Sequence, residues 1–323
     1  MDNALIELAL KTLCCNQKEL AQKLGVSSTQ ITKWKKGEYM SSEMENKLRA
    51  MLNLGQADYP DFILLSGSKE QAKKWEKLIM FLAEQAAEND ETGYEAYQLT
   101  DTPELLCVNT MQVLNDMGVV IPQAFPEDLD IDYNYMHYND NQIGAFEIAM
   151  NNPIAALIYD IFEALTNLSG FYQAYISDLM DDEVLDLEMT SAGNIEPCLI
   201  ELAAAKQTPD EKFAPDFRGF RKKVLAEYRE WLDIVKMTAM QHSIPLRVEL
   251  MDLIYRESNE IGAAAEARSL GFNETRLHPD IYMNELLVGM RTIHQILPFI
   301  MKKIGIYDEF HLDESDFYLN NQK

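Results

Sequence analysis

Cysteine is almost missing from this chain, with four in 323 residues: Cys14, Cys15, Cys107 and Cys198. An adjacent pair and two distant singles match neither a CxxC metal spacing nor a disulfide framework. The thiols are therefore expected to be free and buried, in a reducing compartment. The five histidines (His137, His242, His278, His294, His311) are scattered, and neither an HExxH pair nor a His/Cys cluster occurs. No GxxxxGK[ST] or GxGxxG phosphate loop occurs either. These gaps leave no expected metal, no expected cofactor and no recognisable catalytic constellation, so an enzyme is not the expectation. Glycine (14) and proline (11) are sparse, which disfavours a fold of many short strands and tight turns. The longest apolar runs, such as "NELLVGM" and "HQILPFIM", stop well short of the roughly 20 residues a bilayer span needs. With a start unlike a signal peptide, the chain is expected in the cytoplasm and away from membranes. Positive charge is the last scarcity: 28 Lys and Arg face 53 Asp and Glu, a net charge of -25.

What is abundant favours helix. Met alone numbers 17, and Leu, Ala and Glu are plentiful. Hydrophobic residues at 47% and charged residues at 25% suit a globular chain with material for one small and one large domain. Charge is unevenly divided. Residues 1–55 carry eight basic residues (Lys11, Lys18, Lys23, Lys33, Lys35, Lys36, Lys47, Arg49) against six acids, a balance of +2. The rest carries 20 basic against 47 acidic residues, or -27. Only the front piece suits a polyanion.

That front piece is densely signalled. After a first helical run in "NALIELALKTLCC", Asn16 can cap a helix with Glu19 at its third position. Gly25 can end that helix in the left-handed conformation. Ser27 with Gln30 opens the next helix, which runs to Lys36 and stops at Gly37, and Ser42 with Glu45 opens a fourth, through about Leu54. Ala21 is small where a helix would cross, Val26 plugs the corner, and Ile31 and Trp34 point back to the core. A short turn between two such helices predicts a helix-turn-helix.

The stretch "NQKELAQKLGVSSTQITKWKKGE" resembles the Cro/C1-type (XRE-like) helix-turn-helix DNA-binding family. Gln17, Leu20, Ala21, Leu24, Gly25, Val26, Ser27, Ile31, Trp34 and Gly37 fill that family's pattern without a gap. The resemblance covers residues 3–54, a sixth of the chain. It departs at "CCN", where the family usually has Gly-Leu-Ser/Thr, and in a first helix without arginines. The resemblance implies that the third helix enters the major groove. Ser28, Thr29, Thr32 and Lys33 would then meet base edges, with Gln30 sharing that work unless it is occupied in capping. It implies phosphate contacts for Gln17, Lys18, Lys35 and Lys36. Trp34 is expected in the core.

Behind residue 56, "GQADYPDFILLSGS" reads as a linker over 57–68. Residues 69–323 read as an acidic α-helical domain. Its first helix buries Trp75, Leu78, Ile79, Leu82 and Ala86, and further helices are expected at about 102–117, 154–168, 170–188, 194–206, 214–241, 246–269 and 280–304. No 34-residue repeat emerges. The segment 118–142 reads as a long loop, and "YNYMHYND" (133–140) reads as part of that loop without a ligand, the alternative being a ligand site lined by its Tyr and His. "DLMDDEVLDLE" (178–188) reads as a solvated acidic face, and "IGAAAEA" (261–267) as a smooth face for internal packing or a subunit contact. The expectation is an all-α protein whose four- to five-helix head precedes a large acidic helical body. It would regulate transcription by binding a palindromic operator in double-stranded DNA as a homodimer, with repression the expected sign. The body would dimerise or sense an effector: a small molecule, a peptide or a protein. The alternative is an antitoxin-like or phage-control interaction protein, whose acidic body binds a basic partner.

Overall fold

The computed structural model describes residues 2–56, 58–133, 142–242, 248–272 and 279–307. Among them every regular element is helical. The chain forms two compact units, residues 1–272 and 273–323.

The front of the first unit carries α1 (Asp2–Thr12), α2 (Gln17–Leu24), α3 (Ser28–Lys35) and α4 (Ser42–Met51). Local chemistry accounts for their ends. Asn16 Oδ1 accepts from the backbone N–H of Lys18 and of Glu19, both at 3.0 Å, while Glu19 Oε2 accepts from the Asn16 N–H at 3.0 Å. This is a complete capping box. Gly25 ends α2 at φ 75°, a conformation only glycine adopts cheaply. Ser27 Oγ accepts from the Gln30 N–H at 3.2 Å. The α4 cap falls one residue earlier than expected: Ser41, not Ser42, accepts from the Met44 N–H. Leu5, Ile6, Ala9, Leu20, Leu24, Ile31, Trp34, Met40 and Leu48 close a small core between these four helices.

The segment expected as a linker contains a helix, α5 (Pro60–Ser66). Proline at its first position loses no hydrogen bond there, and Phe62 and Ile63 are buried. There follow α6 (Lys69–Glu88), α7 (Tyr97–Thr100), α8 (Pro103–Asp116), α9 (Gln142–Met150), α10 (Pro153–Tyr175) and α11 (Ser177–Met180). Then come α12 (Leu199–Ala205), α13 (Phe217–Gln241), α14 (Asp252–Tyr255) and α15 (Ser258–Ser269), with α16 (Pro279–Ile304) in the second unit.

α10 is the centre of the body and packs against α6, α12 and α15. By length and composition alone it would pass for a membrane span, yet most of its apolar residues are buried among its neighbours. The structure joins what the sequence reading split near residue 169, because Gly170 does not break the helix. It lets Thr92 approach instead: a Cβ there would lie 2.6 Å from Thr92 Cβ and 2.7 Å from its Oγ1. Gly170→Ala is expected to cost about 1–2 kcal/mol, overpacking outweighing the gain in helix propensity. Gly219→Ala in α13, with open space around its Cβ position, should gain up to about 1 kcal/mol. Urea midpoints of the two variants, shifting in opposite directions, check the pair.

The other differences are also physical. The expected 170–188 helix stops at Tyr175; α11 and short 3-10 turns at Leu187–Met189 and Ser191–Asn194 follow, with Asp186 left-handed at φ 47°. The 246–269 helix breaks where Arg256 becomes extended (ψ 157°) between α14 and α15. Within 118–133, Val119, Phe125, Leu129 and Tyr133 are buried in the same core as α6, so this irregular stretch is packed into the body. Gly262 in "IGAAAEA" faces Asn167 of α10, whose Oδ1 would lie 1.9 Å from an added Cβ, so this face is used in internal packing. Cys14 is exposed, Cys15 and Cys198 are half-buried, and only Cys107 is buried. Cys14 also takes a left-handed turn at φ 45° after α1, away from either core.

Candidate nucleic-acid interface

Three residues, Gly25 to Ser27, connect α2 to α3. The Val26 N–H donates to the Ala21 carbonyl at 3.0 Å and closes the turn. Ala21 is buried, as are Ile31 and Trp34 on the inner side of α3. With that side fixed, the outer side is determined by helical geometry. Ser28, Thr29, Thr32 and Lys33 are all exposed. The structure therefore brings these four onto one outward surface of an eight-residue helix.

Two neighbouring side chains are already tied to that surface. Thr32 Oγ1 lies 3.2 Å from Gln17 Oε1 and 3.1 Å from the Ser28 carbonyl, and its hydroxyl donates to these acceptors. Gln17 thus links the first turn of α2 to the middle of α3. With its carbonyl oxygen so engaged, its amide nitrogen is the end left to donate outward. Gln30 is half-buried and its backbone N–H is taken by the Ser27 cap.

The basic residues divide into three groups. Lys33 pairs with Glu38 at 3.2 Å, and Lys35 pairs with Glu7 of α1 at 3.5 Å. Half-exposed pairs of this kind are worth about 0–1 kcal/mol, so a stronger anion can displace the carboxylates. Lys18 and Lys36 are exposed, with no carboxylate partner among the described residues. Lys47 and Arg49 are structural. Lys47 Nζ donates to the Leu24 carbonyl at 2.9 Å, fastening α4 to the end of α2. Arg49 is only 7% exposed. Its Nε donates to Glu45 Oε1, and Nη1 donates to the carbonyls of Gly55 and Asp58, each at 2.9 Å. Arg49 clips the front helices to the segment leading into α5 and is not free to meet a ligand.

One residue went unread in the sequence. Tyr39, in the loop after α3, is 81% exposed. An aromatic ring left in water two residues beyond the glycine that ends a helix was the available signal.

No family model matches this chain, and neither does any curated protein or solved structure.

The remaining candidates lie in the body. Among the described residues no group of three His, Cys, Asp or Glu is placed to hold a metal. Of "YNYMHYND", Tyr133 is buried with its hydroxyl donating to the Leu129 carbonyl at 2.7 Å, and 134–140 lie outside the described residues. A cavity of about 360 Å³ lies between α8 and α12, lined by Gln98, Asn109, Gln112, Asp116, Cys198 and Glu201 among others. Burial holds the Glu201 carboxyl above the usual carboxylate range; Lys223 opposes this, and Glu227 and Asp116 add to it.

Proposed function

We propose that this protein is a sequence-specific DNA-binding transcriptional regulator whose Cro/C1-type helix-turn-helix head reads a palindromic operator as a dimer. One observation carries the reading: Ser28, Thr29, Thr32 and Lys33 stand outward together on α3, while Ile31 and Trp34 anchor its inner side. A helix so held presents its N-terminal half to base edges in the major groove. Gln17, Lys18, Lys35 and Lys36 flank that surface and meet phosphates, Lys33 and Lys35 exchanging Glu38 and Glu7 for the DNA. The body, at -27 beyond residue 55, repels the duplex within the roughly 8 Å reach of unscreened charge at physiological salt. That suppresses non-specific binding and leaves the head as the only contact. Repression by operator occupancy is the simplest mechanism. The cavity beside Glu201 gives an effector a place in the body.

The test is selection of bound duplexes from a randomised pool, run beside Thr29→Ala/Lys33→Ala. An enriched palindrome with half-sites about 34 Å apart is expected. The variant should lose about 1–3 kcal/mol of discrimination per base contact removed. Lys36→Ala should instead weaken all sequences alike and flatten the salt dependence by about one unit. A folded protein that enriches nothing at moderate salt would sink the reading. One observation favours the alternative of an interaction protein: two of the four lysines on or beside α3 are already paired with carboxylates. Recovery of a basic protein in fixed stoichiometry, with no operator, would decide for it.

A further inference from the structure

α16 shows a pattern that the operator reading does not use. Met290, Ile293, Leu297, Ile300 and Ile304 follow one another at alternating intervals of three and four, and each is between 45% and 63% exposed. The same alternation runs back in the sequence through Leu286 and Met283. An average interval of 3.5 keeps apolar residues on one seam along a partner helix. Ile296, at the g position, adds exposed apolar surface beside the seam, whereas Phe299 lies off it. Together the side chains along the seam leave a continuous apolar stripe in water, of the kind that marks an interaction surface.

Charge favours the same occupant. Residues 279–307 hold Asp280 and Glu285 against Arg291, Lys302 and Lys303, a balance of +1 in a chain of -25. Two copies can meet along this stretch without the repulsion that the rest of the surface carries.

We propose that α16 is the seam through which copies of this chain associate, a second α16 covering the stripe from Met290 to Ile304. With the intervals as given, Met290, Leu297 and Ile304 take the a positions and Ile293 and Ile300 the d positions. The a positions hold methionine, leucine and isoleucine in turn, a mixture that leaves the number of strands to the measured mass. Pro298 falls at b, off the seam, so its ring does not enter the contact. The proposal does not depend on DNA binding and is measured without DNA.

Sedimentation equilibrium of the full chain is expected to give a multiple of 37.0 kDa. Ile293→Ala/Ile300→Ala should weaken association about 100-fold or more, with far-ultraviolet dichroism unchanged, because alanine favours helix. Ile293→Glu/Ile300→Glu should leave a single chain, whereas Gln295→Glu, at the outward f position, should leave the mass as it was. Three results would overturn the seam. The first is a wild-type mass of one chain at every concentration. The second is an oligomer that both isoleucine double variants leave intact. The third is a chain that stays single in solution and gathers on vesicles of anionic phospholipid through the same residues.

Discussion

Trp75→Ala is expected to destabilise the protein by about 3–5 kcal/mol, while Trp75→Phe costs far less. Trp75 is fully buried on α6 and meets the Phe125 ring edge-on, with centroids 5.0 Å apart. One turn earlier, Gln71 Oε1 accepts the Phe125 N–H at 2.6 Å. The pair therefore pins the irregular 118–133 stretch onto the body, and removing the indole leaves both a cavity and an unsupported Phe125. The indole Nε1, however, is buried without a hydrogen-bond partner among the described residues. A buried unsatisfied donor costs about 1–3 kcal/mol, and phenylalanine removes it. Its smaller ring loses packing, and the two changes largely offset, so Trp75→Phe should fall within about 1 kcal/mol of the wild type. Urea midpoints by circular dichroism check both variants. Equal losses in the two would mean that the Nε1 is satisfied and the ring shape alone matters.

Alkali is expected to unfold the body cooperatively. Burial, then the carboxylates of Glu76 and Glu104, push the Cys107 thiol up to about 12. Burial lifts Cys198 to about 11, with Glu201 and Glu227 adding to it and Lys223 opposing. Burial also holds the phenols of Tyr133, Tyr172 and Tyr228 well above their usual range. Tyr228 is fully buried, its hydroxyl donating to the Ile195 carbonyl at 2.7 Å. Each of these groups ionises earlier in the unfolded chain. Their contribution is complete below the unfolded pKa, and is lost as pH rises through the folded one. For Cys107 alone the full loss is on the order of 4 kcal/mol, against a typical total of about 5–15 kcal/mol. Lys206 works the other way. Its Nζ donates to the carbonyls of Ile254, at 3.1 Å, and Arg256, and burial draws the ammonium down to about 8. Between there and about 10.4 the unfolded lysine keeps a proton that the folded one has shed, so this contribution rises with pH. Helix content should hold to about pH 10 and collapse before about pH 12, the buried phenolate absorbance appearing in the same step. Lys206→Met should remove the rise above about pH 8. Buried phenols that ionise gradually while the helices persist would contradict the packing around α10 and α13.

Legibility followed the range of the forces involved. The ends of α2 and α3 depend on atoms three or four residues apart, and Asn16, Gly25 and Ser27 announce them in the chain itself. α5 does not announce itself. "FILL" is too short to show a period, and its burial comes from α1 and α8, which are distant in sequence. Gly170 misleads for a related reason: glycine commonly ends helices, but this one answers to Thr92, 78 residues away. The outward set on α3 could be read because Ile31 and Trp34 fix the inner side. The pairing of Lys35 with Glu7, and the loss of Arg49 to backbone carbonyls, depend on how α1 and the 55–58 turn fold back, which no spacing reveals.

α1 belongs to two cores at once. Leu5, Ile6 and Ala9 pack with α2 to α4, while Leu8 joins Phe62 and Ile63 in the core of the body. A head on a loose tether searches a volume, and its partner site feels an effective concentration set by tether length. Here no such volume exists for the head relative to the body: α1 and α5 hold one orientation. Front helices and the core around α10 should therefore melt in one calorimetric transition, and anything that the front helices bind is met at one fixed angle to that core, with no tether entropy to surrender.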